Sequence, residues 1–146
     1  MGDISKDIQS TFPSNKVKTM INILFTSNWI SSYQNSFFKP FNISAQQYNI
    51  LRILKGAGKP LKVQTIKERM IERSPNLTRL MDKLYAKDFI ERTPCSTDRR
   101  VVHIEITKQG LDLLEDISKA DQQDLLKNLT EEEVIQLSNL LDKLRF

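Results

Sequence analysis

The apolar residues of this chain recur at about 3.6 residues as far as Leu84, at about 2 residues between Phe89 and Thr107, and at helical spacing again afterwards. That interruption limits what the chain can fold into. Phe89-Ile90-Glu91-Arg92-Thr93 reads as one strand and Val101–Thr107 as a second, with Val102, Ile104 and Ile106 on one face and His103 and Glu105 on the other. Between them Pro94-Cys95-Ser96-Thr97-Asp98-Arg99-Arg100 is polar and turn-rich. The expected fold is mainly α with a two-stranded hairpin whose tip carries Arg99 and Arg100.

The helices before the hairpin are bounded by local signals. Residues 1–15 are polar and contain Pro13, so they are expected to fray or pack late. Lys16 to Phe38 lacks Gly and Pro; Val17, Ile21, Leu24 and Phe25 keep helical spacing, and Phe25, Trp29, Tyr33 and Phe37 form an i, i+4 row. One long helix ending before Pro40 follows. Ser44 opens the next, with Gln47 completing a capping box, Ile43 and Tyr48 as a staple, and Gly56-Ala57-Gly58 as the stop. Lys59-Pro60-Leu61 is an extended link, and Val63–Met70 a brief helix. After a turn, Ser74 is the expected cap of a further helix, with Pro75 at its first position and Leu77, Leu80, Met81 and Leu84 as its buried stripe.

Beyond the hairpin, Lys108–Asn128 reads as one long amphipathic helix. Thr130 and Glu133 form a second capping box for a last one, whose apolar face is Val134, Leu137, Leu140, Leu141 and Leu144. At 146 residues the whole, 1–146, is the size of one domain. No apolar run reaches a membrane span, and the N-terminus lacks the apolar core of a signal peptide, so the cytosol is the expected compartment. A single cysteine and a single histidine preclude an internal disulfide and leave few ways to bind a transition metal. No Ser/His/Asp set, paired carboxylates or phosphate-cradling Gly loop stands out, so neither a cofactor nor an enzyme is expected.

Charge is unevenly spread. Residues 1–58 carry a net +4, residues 59–110 a net +5, and residues 111–146 a net −5. A polyanion-binding surface is therefore expected before position 110, although charged helices facing solvent would give the same totals. The arrangement decides between the two. Short helix, tight turn, second helix and basic-tipped hairpin is the order of a winged helix-turn-helix, here spanning 44–107. In that architecture the second helix suits the major groove of DNA, its N-terminus suits phosphate, and the wing tip suits the minor groove. Arg73, Arg79, Lys83, Arg92, Arg99 and Arg100 are then a phosphate-tracking set.

At these residues the chain resembles the MarR family of bacterial transcription regulators. Ser74-Pro75-Asn76-Leu77-Thr78-Arg79-Leu80-Met81-Asp82-Lys83-Leu84 is similar to the family's recognition helix, and Phe89-Ile90-Glu91-Arg92 to its first wing strand. Asp98-Arg99-Arg100, followed by Val102-His103-Ile104-Glu105-Ile106-Thr107 and Gly110, is similar to the wing signature and is the most specific part. Two departures are visible. Asp88 stands where the family usually has Gly, in a conformation Asp tolerates, and the start of the recognition helix is polar and proline-containing instead of a Ser/Thr pair.

The resemblance implies a homodimer that reads a pseudo-palindromic double-stranded operator and usually represses transcription, with residues 16–38 and 108–146 supplying the dimerisation helices. Asn76, Thr78 and Arg79, with Ser74 at the start of the helix, would face bases or flanking phosphates. Arg100 would enter the minor groove, Asp98 would orient the wing by a charge-assisted contact, and Arg99 would share the DNA backbone. It also implies relief by a small aromatic or anionic effector, for which Trp29, Tyr33 and Tyr48 are the candidate pocket residues. The same aromatic row fits core or dimer interface. Two alternatives stay open: a winged-helix protein-interaction module, and an oxidant-sensing repressor using Cys95, whose sequence neighbours Arg92, Arg99 and Arg100 favour a thiolate. His103, on the polar face of a wing strand, reads as a solvated histidine.

Overall fold

The computed structural model describes residues 2–73, 75–120 and 123–146. Helices α1 (Ile4–Asp7), α2 (Asn15–Phe38), α3 (Ala45–Ala57), α4 (Val63–Arg69) and α5 (Leu77–Ala86) precede the hairpin strands β2 (Ile90–Pro94) and β3 (Val102–Ile106), and α6 (Lys108–Lys119) and α7 (Glu131–Arg145) follow. Strand β1 (Leu61–Lys62) lies between α3 and α4. The architecture is the mainly α, winged helix-turn-helix one.

The local signals act as their chemistry requires. Ser14 caps α2, and both capping boxes close: Ser44 with Gln47 at α3, and Thr130 with Glu133 at α7. Gly58 ends α3 at φ +64°, the left-handed conformation that favours glycine. Asp88 takes the same conformation at φ +61°. Ile50, Leu51 and Leu54 of α3, Ile66 of α4, Met81 and Leu84 of α5, Ile90 and Ile104 of the strands, and Leu114 and Ile117 of α6 build the core.

Four expectations are corrected. The sheet has three strands, ordered β1-β3-β2, because Leu61 and Lys62 pair with Ile104 and His103. Two residues are too few to show a strand period, yet Leu61 is buried and its backbone groups must be paired. Helix α5 starts at Leu77, not behind Ser74 and Pro75; its N-cap is Asn76, at φ −82° and ψ 3°, and Pro75 lies in the preceding turn. The cap expected at Ser74 lies outside the described residues.

The long helix expected over Lys108–Asn128 ends at Lys119, since Ala120 is extended at φ −68°, ψ 147°. Downstream, the Asp124 carboxylate accepts the Leu126 N–H at 2.9 Å, a local turn that competes with helix. Finally, the N-terminal segment is not simply frayed: Asp3 caps α1, Ile4 is 5% exposed, and Asp3 pairs with Lys18 of α2 at 3.3 Å.

Gly110 answers to packing. A Cβ there would stand 2.4 Å from the Phe89 carbonyl oxygen and 2.7 Å from Ile106 Cγ1, so the first turn of α6 can lie against the strand only with glycine at that position.

Candidate nucleic-acid interface

The buried stripe of α5 determines what it presents. With Leu77, Met81 and Leu84 in the core, Thr78, Arg79, Asp82 and Lys83 are exposed, as is Asn76 at the start. Three side chains of α3 position α5 and the segment before it. The Asn49 Oδ1 accepts the Ile71 N–H at 3.0 Å, and Gln46 Nε2 donates to Glu72 at 2.6 Å. Gln47, the one buried polar side chain among the described residues, accepts the Ser44 N–H and donates to the Leu80 carbonyl at 3.4 Å. The capping box of α3 thus doubles as a brace for α5. Arg73 is exposed in the turn that these contacts hold.

At the wing, the Cys95 N–H bonds the Val101 carbonyl at 2.9 Å and closes the loop. The Asp98 carboxylate accepts the Arg100 N–H at 3.0 Å, and its carbonyl accepts the Val101 N–H at 3.1 Å. Asp98 therefore shapes the tip through a charge-assisted backbone bond. Arg99 and Arg100 are exposed, and among the described residues neither joins an ion pair. Two groups of unneutralised cations, one on α5 and one on the wing, flank the same sheet.

Arg92 is placed differently. Its guanidinium pairs with Asp82 of α5 and lies 5.0 Å from the centroid of the Tyr85 ring. No periodicity could have signalled this pair, because its members lie on separate elements. Lys87, likewise, donates to the carbonyl of left-handed Asn42.

Cys95 is half-buried, with Sγ 3.1 Å from Thr97 Oγ1. That hydroxyl, then the backbone N–H groups of Thr97 and Asp98, hold the thiol below its ordinary value, with a smaller contribution from the Lys62 charge. The arginines near it in sequence are not among the causes. His103 is partly buried in β3, opposite Lys62 and Thr93.

Tyr33 and Tyr48 stand at the two ends of one row of rings, joined by Phe37 and Phe38 at 5.0 Å, and the row does not include Trp29. Tyr33 stacks on Phe37 at 6.1 Å and accepts the Gln123 N–H at 2.8 Å, Tyr48 packs on Phe38 at 4.6 Å, and Trp29 is 50% exposed. An open cleft of about 660 Å³ between α5, β2 and the start of α6 is lined by Tyr85, Asp88, Glu91, Thr107 and Lys108 among others, and by none of the three.

The MarR family model matches residues 43–102. The multiple antibiotic resistance protein MarR of Salmonella typhimurium is 34% identical over 114 residues, covering 75% of this chain and 78% of the relative. The transcriptional regulator MhqR of Bacillus subtilis is 30% identical over 118 residues, covering 78% and 80%. Among solved structures, a mutant MarR from E. coli complexed with operator DNA superposes with a TM-score of 0.75 at 26% identity, covering 98% of this chain and 99% of that one. A MarR-like regulator from Bacillus cereus gives a TM-score of 0.77 at 19% identity, a likeness of fold.

Proposed function

The chain belongs to the MarR family, and on that premise we propose that it is a sequence-specific double-stranded DNA-binding transcriptional regulator acting as a repressor in the cytoplasm. The observation that carries this is the pairing of two cationic surfaces. Arg79 and Lys83 stand on the outer side of α5, Arg99 and Arg100 on the wing tip, and all four are exposed. Helix α5 would enter the major groove with Asn76, Thr78 and Arg79 toward bases or flanking phosphates, and Arg100 would reach the adjacent minor groove. Arg73, Lys83 and Arg99 would follow the backbone. The role is one of binding, in keeping with the regulators the chain is similar to.

The partner is a second copy. Helix α7 buries no residue, and Ile135, Leu140 and Leu144 on it, like Met20, Leu24 and Trp29 on α2, are exposed. Apolar surface of that extent on two helices calls for a covering partner, and the two-fold symmetry of a dimer matches an inverted-repeat operator. Among the described residues no helix is long and apolar enough to cross a membrane.

Relief by a small aromatic or anionic effector belongs to the same proposal. Its support is the half-exposed Trp29, together with the Tyr33 hydroxyl that ties α2 to the segment leading into α7. A second reading, release on oxidation of Cys95, draws on the lowered thiol beside Thr97 in the wing loop.

Selection of bound duplexes from a random pool, at moderate and high salt, tests the main reading. An enriched inverted repeat with half-sites about one helical turn apart is the expected result. Weak, salt-sensitive binding to every duplex would reduce the protein to a non-specific DNA binder. No binding at any salt would put a protein-interaction module in its place.

A further inference from the structure

We propose that Arg92 is a positioning residue and not a phosphate contact: with Asp82 and Tyr85 it clamps the wing to the reading helix and fixes the angle between them. The inference rests on the DNA-binding reading above, which gives that angle its purpose.

The register of the sheet places Arg92. In an antiparallel pair, residues directly opposite one another share a face. Arg92 lies opposite Ile104, and Ile90, two residues earlier on the same face, lies opposite Ile106. Ile90 and Ile104 are both core residues, so this is the inner face of the wing. From there the side chain crosses the rim of the core and reaches the exposed side of α5. Asp82 and Tyr85 are three positions apart on that helix and therefore neighbours on its surface. The carboxylate takes the charge and the ring takes the flat face of the guanidinium.

The same contacts dispose of a carboxylate. Asp82 is the one acidic residue of α5, and unpaired it would repel phosphate beside Arg79 and Lys83. Pairing cancels that charge with a cation that is then not offered to DNA. An exposed ion pair contributes little to global stability; what this one governs is the direction in which the wing leaves the helix. Arg99 and Arg100 lie beyond β2 on the same hairpin, so a change in that direction displaces both from the groove.

The two roles for Arg92 give opposite signs for Asp82→Ala. If Arg92 held phosphate, removing a nearby carboxylate would tighten DNA binding, and Arg92→Ala would lower the log–log salt slope by about 0.9. As a clamp, Asp82→Ala and Arg92→Ala each weaken binding by about three- to tenfold with the slope unchanged. Combining Asp82→Arg with Arg92→Asp restores much of the loss. The probe is the inverted-repeat duplex recovered by selection, titrated with the full chain over a range of salt. Tighter binding by Asp82→Ala, or a reduced slope in Arg92→Ala, overturns the clamp.

Amide hydrogen exchange in the absence of DNA is the second readout. Both single variants are expected to accelerate exchange in β2 and β3 while leaving α3 unaffected. Wild-type exchange in both wing strands overturns the clamp. Failure of the wild type to bind any duplex would overturn the DNA reading instead, and exchange would still decide the clamp.

Discussion

The Thr107 hydroxyl donates to the carbonyl of Asp88 at 2.5 Å, joining the N-cap of α6 to the left-handed residue that follows α5. The same oxygen accepts the Gly110 N–H at 3.1 Å, and the Thr107 N–H bonds the Phe89 carbonyl at 3.1 Å. One threonine thereby fixes where the reading helix stops, where the wing begins and where the next helix starts.

Thr107→Val keeps the shape and removes the hydroxyl. It leaves the Gly110 N–H and the Asp88 carbonyl without this partner, and a loss of about 1–2 kcal/mol is expected. Urea denaturation at fixed protein concentration measures it. A midpoint equal to wild type would show that the joint contributes nothing.

Gly110→Ala is expected to destabilise by about 2 kcal/mol or more, against the helix propensity, which favours alanine by about 1 kcal/mol. The atom in the way is a backbone oxygen, that of Phe89 at 2.4 Å, and it has little freedom to retreat. A gain in stability in the same denaturation assay would mean that α6 does not lie against the strand so closely.

Arg100→Ala should cost about 1–3 kcal/mol of affinity for the selected duplex, lower the salt slope by about 0.9 and leave the dimer intact. Fluorescence anisotropy at several salt concentrations reads the first two, and sedimentation the third. Unchanged affinity would take Arg100 out of the groove.

The Cys95 thiol should ionise at lower pH than a free cysteine, because the Thr97 hydroxyl and the neighbouring N–H groups favour the thiolate. Alkylation by iodoacetamide should therefore reach its half-maximal rate at a pH below the ordinary cysteine value, and Thr97→Ala should move it upward. A profile identical in the two proteins would remove the hydroxyl from the explanation.

Leu140→Glu places a charge on the exposed apolar side of α7, a helix with no buried residue in the single chain. The dimer should dissociate at concentrations where wild type is paired, as sedimentation velocity would show. A dimer of undiminished stability would mean that α7 is not the interface.

What was legible in the sequence was local chemistry. Ser44 with Gln47, and Thr130 with Glu133, lie within one helical turn, so the spacing alone determines both capping boxes. The hairpin and the exposed arginines at its tip follow likewise from the period and the turn residues, whereas the left-handed Asp88 was legible only through the resemblance to a family that usually has Gly there. The features that escaped depend on distant parts of the chain. Leu61–Lys62 becomes a strand only because β3 is there to pair with it, and α6 stops at Lys119 amid residues that still look helical. Arg92 reads as one more cation in a basic segment until Asp82 and Tyr85 are seen beside it.

Strand β1 joins the sheet on the far side of β3 from β2, so the link between α3 and α4 is sewn to the wing by backbone bonds. With the Arg92–Asp82 contact holding β2 to α5 as well, helix pair and wing then travel as one block. In a dimer of such blocks the quantity open to adjustment is the separation of the two halves, as with the jaws of a caliper. A signal that spreads or closes the jaws by a few ångströms would put both helices and both wing tips out of step with the turn of the double helix at once, with no need to unfold either.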